Sequence, residues 1–554
     1  MNKKVCSFPI LFALLALLIG TCAVVFPASA QAAPTSTGSI TVSGTVASSY
    51  DAYQIFSANV VDSDSDAKIA TDLAWASDAV RDAALPVLHS AGMSNSQTTA
   101  QEAAEWLNTD SHLTSALSAQ LARSLQSSGA VPLNAGTAAE LPCGYWLIVA
   151  DDDAIAQGEA GTAPIMTLVG GSAVTVKPKA ATPKVQKHVL EDSTAAWQKA
   201  ADATVADDLY WRLSATVPAG LAVYDTYTVR FVDTMSAGLD PSKVAASMRV
   251  YAAAGADGGF DAVQTGRDGH VGTDPAKGWT DITAQCATKV AADGKTFTVR
   301  TGDLIAALGG ADAFTAGARV VAVYNAPLNS ACSHGIAKGN PNEVYLRYPR
   351  SPFTDQSGDA GFTRTPSDDA CAYTWDLALT KRGSDGDKPL AGAVLSIADD
   401  RGRTLAADGT WNAEGKATVT TGEDGRVTVS GVDSGKLEVR ELKAPKGYTA
   451  FEGTRSVTVK AEGLDVDQVA AAKPKLTITA ESPLRADSAD GSTGSLEASL
   501  INTPAGTPPS ITTGGFMPST GDMAMYAAAA AAVAGAALIV VALLVKRGGG
   551  SHKE

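Results

Sequence analysis

Histidine is scarce, six residues in 554, and no two of them fall at a metal-ligand or catalytic-pair spacing. That leaves a histidine-built zinc site or acid–base pair without its components. No glycine-rich loop follows a strand in the pattern that cradles a phosphate. Nor does the chain offer a nucleophile, base and orienting group for a hydrolase. Basic charge is also short: 43 Lys and Arg face 58 Asp and Glu, a net charge of -15. Nucleic acid and anionic membrane surfaces are thereby excluded as partners, and no cofactor or metal is expected. What the chain does have is 52 Gly and 25 Pro punctuating short alternating apolar runs, the pattern of an all-β protein.

Long apolar runs occur at the two ends. Met1-Asn2-Lys3-Lys4 leads into an apolar run from Phe8 to Phe26 and exits through Pro27-Ala28-Ser29-Ala30. This is a cleavable secretory signal over 1–30, with Ala30 and Ala32 as alternative cleavage points. Near the other end, Phe516-Met517-Pro518-Ser519-Thr520-Gly521 precede an apolar run from Met525 to Val545 and the cations Lys546-Arg547. The run has the ~20 residues a membrane-crossing helix needs, and the cations hold the tail inside. This arrangement resembles the sortase sorting signal, LPxTG–helix–positive tail, with Met517 in place of Leu. The resemblance implies that a cysteine transpeptidase cuts between Thr520 and Gly521, keeps Thr520 as a thioester and passes it to an amine. Within the sorting signal, helix and tail at 516–554, the apolar helix then serves for transient membrane retention, and the product is bound to the peptidoglycan of a Gram-positive cell wall.

Cys6 and Cys22 leave with the signal, and Cys143, Cys286, Cys332 and Cys371 remain. An even number in an oxidising compartment predicts disulfides. Of three connectivities, Cys286–Cys332 is favoured because both fall in one predicted domain, which leaves Cys143–Cys371 to bridge domains.

Short strands and turn clusters divide the chain into tandem immunoglobulin-like β-sandwich domains. A first, over 34–178, opens and closes with strands, while Ile69 to Leu125 reads helical, broken near Gly92 and at Asp110-Ser111. A second spans 181–350 and a third 372–504, with a polar, turn-rich connector between them. A Pro/Gly/Thr-rich linker, 505–515, leads to the sorting signal. Asp62, Asp64 and Asp66 alternate like a calcium loop but lack its Gly and closing Glu. The Gly/Asp-rich stretch 255–278 reads as a long hairpin loop.

Residues two apart on a strand share a face. In the second domain Lys187 shares a face with Val185 and Val189, Asp233 with Val229 and Phe231, and Asn342 with Val344 and Leu346. In the third, Lys381 goes with Leu377 and Leu379, Glu441 with Leu437 and Val439, and Asn502 with Ala498 and Leu500. Twice, a first-strand Lys, a mid-domain carboxyl and a last-strand Asn face a predicted core. A lone buried charge costs several kcal/mol. Burial also lowers the pKa of a Lys and raises that of an acid, so the pattern predicts a neutral amine, a protonated acid and an amide held for intramolecular attack.

Asp233-Thr234 followed by Gly238-Leu239 resembles the motif of the isopeptide-forming middle domain of Gram-positive backbone pilins. Glu441-Leu442-Lys443-Ala444-Pro445-Lys446-Gly447-Tyr448 is similar to the E-box of their Cna protein B-type domain. The resemblance implies Lys187–Asn342 and Lys381–Asn502 amide cross-links, assisted by Asp233 and Glu441. An E-box-like Glu140-Leu141-Pro142-Cys143 in the first domain has no Lys/Asn set around it, and no bond is expected there. Backbone pilins end their first domain with a pilin motif, and Val174-Thr175-Val176-Lys177-Pro178-Lys179 occupies that place. Lys179, on the exposed parity, is the expected intermolecular nucleophile, with Lys184 after Pro183 as runner-up.

The expected function is a pilus backbone subunit, with sortase, identical subunits, peptidoglycan and accessory pilins as partners. The alternative is a monomeric wall-anchored adhesin binding a host glycan or matrix protein.

Overall fold

The computed structural model describes residues 36–506, except 64–66, 110, 162, 179–181, 220–222, 256–258, 261–262, 266–270, 274–277 and 315. The signal peptide, Lys179, the Met517–Gly521 motif and the apolar run after it lie outside the described residues. Among the described residues, no helix is long and apolar enough to cross a membrane.

The chain is mostly β, and apart from the two-stranded hairpin of Val263–Thr265 with Val271–Thr273, the sheets of the described residues form three successive pairs. In the first pair, the long strand Ser49–Asp62 holds Lys68–Trp75 on one side and Gly144–Ala150 on the other. A three-stranded sheet lies behind it. Three helices, Asp78–Ser90, Ala100–Asn108 and Ser115–Leu125, follow the hairpin. Ser77 caps the first through the Val80 N–H, and Thr99 with Glu102 forms a capping box on the second, each satisfying orphan donors. Gly92 (φ +111°) and Ser111 (φ +61°) mark the two helix breaks. The helical stretch begins later than expected. Ile69 to Trp75 form a strand, because pairing Val61 with Ile69 and Phe56 with Trp75 outweighs the helical preference of its alanines.

The second unit is a six-stranded sheet facing a seven-stranded one. Trp211, Tyr227, Phe231, Phe297 and Tyr324 fill the space between them and are essentially inaccessible. The six-stranded sheet contains Lys184–Glu191, Tyr210–Val217 and Ala318–Asn325. Its partner contains Arg230–Met235, Asn340–Pro349 and Asp368–Tyr373. Phe362–Arg364 and Asp368–Tyr373, in the stretch read as connector, thus extend the second unit's sheet.

In the third unit a five-stranded sheet faces a seven-stranded one. Its first and last strands, Trp375–Gly383 and Ser495–Pro504, lie side by side and parallel, with Lys381 opposite Leu500 and Gly383 opposite Asn502. The junction between the second and third units is tight. Trp375 is wholly buried and donates its indole N–H to Asp202 at 2.6 Å, while Arg403 pairs with Asp207.

The expected disulfide is absent: Cys143, Cys286, Cys332 and Cys371 are all free thiols. Cys286 precedes Ala287, which aligns with Arg300 and so with the Arg230 end of the Arg230–Met235 strand. Cys332 lies against Gly238, beyond the Met235 end. At least five strand residues, roughly 17 Å, separate two thiols that need Cα atoms about 4.4–6.8 Å apart. Sharing a domain was not sufficient for pairing.

Candidate functional site

Each of the two polar triads lies in a hydrophobic core, because the alternation that buries Val185, Phe231 and Val344 also buries the polar residue two positions along. Lys187, Asp233 and Asn342 are wholly inaccessible. Lys187 comes from the six-stranded sheet, whereas Asp233 and Asn342 come from the facing one, where Met235 pairs with Asn342 and Asp233 with Val344. The Lys187 amine donates to Asp233 Oδ2 and, at 2.9 Å, to the hydroxyl of Tyr324. That hydroxyl donates to Asp233 Oδ2 at 3.0 Å and accepts from Asn342 Nδ2 at 2.8 Å. Tyr324 therefore lies between nucleophile, acid and amide, although alternation had not singled it out. Asp233 Oδ1 and Asn342 Oδ1 make no hydrogen bond, which in a core is costly.

Lys381 and Glu441 are likewise closed to solvent, and Asn502 nearly so. Here the amine and the amide sit on adjacent parallel strands of one sheet, and Glu441 reaches in from the opposite one. The Lys381 amine donates to Asn502 Oδ1 and lies 3.1 Å from Glu441 Oε1. The Asn502 amide group donates to both Glu441 oxygens, at 2.9 and 3.0 Å. The Phe451 backbone N–H fixes the same carboxyl at 3.1 Å. The two triads thus hold the same three groups in different arrangements. One spans two sheets through a tyrosine, and the other joins neighbouring strands directly.

Burial shifts both amines toward the neutral form, against the pull of the neighbouring carboxyl groups. Burial lowers the Lys187 pKa to about 8, opposed by the nearby Asp233 carboxylate. Burial likewise brings Lys381 to about 8 against the pull of Glu441. The shift from 10.5 represents about 3 kcal/mol against each ammonium. Burial raises the pKa of Asp233, with Lys187 opposing. Aromatic rings surround the amines: Trp211 and Tyr324 each lie 5.5 Å from Lys187 Nζ, and Phe451 lies 5.9 Å from Lys381 Nζ. Among the described residues, no cluster of His, Cys, Asp or Glu could hold a metal ion.

Near the first boundary, Val176 is buried while Thr175 and Lys177 are exposed. Lys184, the alternative acceptor, is exposed at the start of its strand. Lys179 itself is not described.

Comparison with known proteins matches residues 376–473 to the family described as "SpaA: Prealbumin-like fold domain". The matched residues fall within the third unit. The chain is also 30% identical over 143 residues to the trypsin-resistant surface T6 protein of Streptococcus pyogenes serotype M6. That alignment covers 24% of this chain and 24% of the T6 protein, so the chain spans about a quarter of the curated relative it matches. Among solved structures, it is similar to the T6 backbone pilin of serotype M6 S. pyogenes, with a TM-score of 0.45 and 17% identity over 85% of this chain and 98% of that one. A second likeness is to the full-length major pilin SpaD of Corynebacterium diphtheriae, with a TM-score of 0.41 and 15% identity over 85% and 98%.

Proposed function

We propose that this chain is a structural backbone subunit of a Gram-positive pilus, a non-enzymatic building block stiffened by two internal amide bonds. The carrying observation is the burial, twice, of a lysine, a carboxyl and an asparagine in mutual contact, at positions where a core ordinarily holds hydrocarbon. The reading takes the chain as tandem immunoglobulin-like domains over 34–178, 181–350 and 372–504.

In each triad the neutral lysine amine attacks the asparagine Cγ. The Nζ–Cγ bond forms, the Cγ–Nδ2 bond breaks and ammonia leaves with a proton relayed from the amine through the carboxyl. Asp233 serves Lys187 and Asn342, and Glu441 serves Lys381 and Asn502. Fixed contact replaces a bimolecular encounter and supplies up to ~7–11 kcal/mol of the barrier. The hydrogen bonds of Glu441 to both nucleophile and leaving amide support this role. In the middle domain Tyr324 supports it by joining amide to acid.

Between subunits, sortase would cut after Thr520 and transfer its carbonyl to Lys179 of the next copy, with Lys184 as the alternative. The last subunit would join the peptidoglycan. Denaturing gels of cell-wall extracts should show a ladder of very large species that collapses on Thr520→Ala and on Lys179→Ala. A single band at monomer mass would refute polymerisation.

A further inference from the structure

The Lys187 side chain is held by its triad, but the backbone of the same residue is held by something else. Its strand pairs with Tyr210–Val217 along one flank, from Lys184 to Val189. On the other flank the short strand Ala196–Gln198 reaches only as far as Val189. Where Lys187 would otherwise lack a partner strand, a lysine and an aspartate take its place. The Lys187 N–H donates to Asp368 Oδ2 at 2.6 Å, and the Lys187 carbonyl accepts from Lys199 Nζ at 2.8 Å. Lys199 and Asp368 pair with each other, and Lys199 Nζ also reaches the Asp369 carbonyl at 3.2 Å. Lys199 is 7% exposed. The Asp368 side chain is 28% exposed, so the buried cost falls mainly on the lysine, which offsets it through three acceptors.

Asp368 belongs to the opposite sheet, and Lys199 sits at the bend where the chain passes from Ala196–Gln198, beside the Lys187 strand, into that opposite sheet. Lys199 immediately precedes Ala200–Asp202, which runs parallel to Asp368–Tyr373. Asp368 lies opposite Val344, and two positions along Ala370 lies opposite Asn342. The pair therefore ties the peptide unit of the nucleophile in one sheet to the strand beside the amide in the other. It sets the gap that the amine must span.

We propose that Lys199 and Asp368 are positioning residues for the Lys187–Asn342 amide bond, clamping the Lys187 backbone so that its amine sits at attacking distance. This inference rests on the amide-forming reading of the triad. Neither residue touches the reacting atoms. A misplacement near 1 Å costs about a hundredfold in an intramolecular reaction, so loosening the clamp is expected to slow closure at least tenfold.

The test is a time course of the full chain, newly synthesised and then digested, with mass measurement of the peptide joining Lys187 to Asn342. The peptide joining Lys381 to Asn502 is the internal control for each sample. Wild type should close fully at both sites within the course, early enough points being taken to give its rate. Lys199→Met and Asp368→Asn should be closed normally at Lys381–Asn502 and slowly at Lys187–Asn342. If Lys199→Met does not accumulate as folded protein, Asp368→Asn, which keeps an oxygen to accept the Lys187 N–H, carries the comparison. The pH profile separates positioning from mere support of the fold. The ionisable groups facing Lys187 are Asp233, Tyr324, Asp368 and Lys199. Asp368 favours the charged amine and Lys199 opposes it. The acid limb of the closure rate should therefore move to lower pH in Asp368→Asn and to higher pH in Lys199→Met. Closure at the wild-type rate in the variants, or slowing without these opposite shifts, overturns the proposal. Absence of the Lys187–Asn342 peptide from wild type would instead refute the underlying amide reading.

Discussion

Glu441→Ala provides the sharpest test of the third-domain triad. The substitution removes the only carboxyl near Lys381 Nζ among the described contacts, and with it both acceptors of the Asn502 amide. Without a group to carry the proton from amine to departing ammonia, the bond should not close. The variant should then be heavier than wild type by one ammonia, ~17 Da, on top of the substitution itself. Its stability loss follows from the loop that the bond closes, whose ends are 121 residues apart in sequence. Treated as a cross-link of the unfolded chain, a loop of that length stabilises by about 5 kcal/mol. For a domain of this size that corresponds to a fall in Tm of roughly 15–25 °C. Intact mass and scanning calorimetry of the chain without its sorting segment measure both effects. Glu441→Gln separates chemistry from packing, because it keeps the volume and one acceptor but cannot take up the proton. It should stay open and melt early as well. A Glu441→Gln chain that still loses ammonia, or one that stays open yet melts with wild type, would refute the reasoning.

Three further outcomes are expected. Asn502→Ala strands an unreacted Lys381 whose folded pKa of about 8 lies below its unfolded 10.5. Between those values the unfolded chain binds more protons, so stability should rise with pH by up to about 3 kcal/mol; urea midpoints at pH 7 and pH 10 measure this, and a flat profile argues against a buried ammonium. Tyr324→Phe should leave Asn342 Nδ2 without its acceptor, cost about 1–3 kcal/mol and yield a detectable fraction open at Lys187–Asn342 by peptide mass; complete closure at the wild-type rate would show the hydroxyl to be dispensable. Trp375→Ala removes a wholly buried indole and its bond to Asp202. It should cost about 3–5 kcal/mol and open the junction near residue 375 to limited proteolysis, whereas an unchanged digest would mean that the two units are held together by other contacts.

Much of the candidate site was legible because a strand has a period of two. A polar residue on an apolar parity stands out, as Lys187, Asp233, Asn342, Lys381, Glu441 and Asn502 all did. Tyr324 did not, because every residue of Ala318–Asn325 is buried. A strand covered on both faces offers no polar parity against which a hydroxyl can be noticed. Lys199 and Asp368 were invisible for a different reason. They act on the backbone of another residue, and nothing in local spacing records which peptide unit a distant side chain will reach. The strand over Ile69–Trp75 was not legible because its alanines suit a helix, while the partner that makes it a strand lies earlier in the chain. The Cys286–Cys332 expectation failed because residence in one domain says nothing about which end of a strand each thiol occupies.

The parallel pairing of Trp375–Gly383 with Ser495–Pro504 has a mechanical consequence. Tension along a fibre would enter this unit near Trp375 and leave near Pro504. With Lys381 joined to Asn502, the covalent load path runs along seven residues, crosses the amide and exits two residues later. The 121-residue separation would otherwise be slack, able to pay out roughly 400 Å of extended chain. Closing the bond would remove that slack, and the unit would then behave under load as a short, inextensible link whose length is fixed before any force arrives.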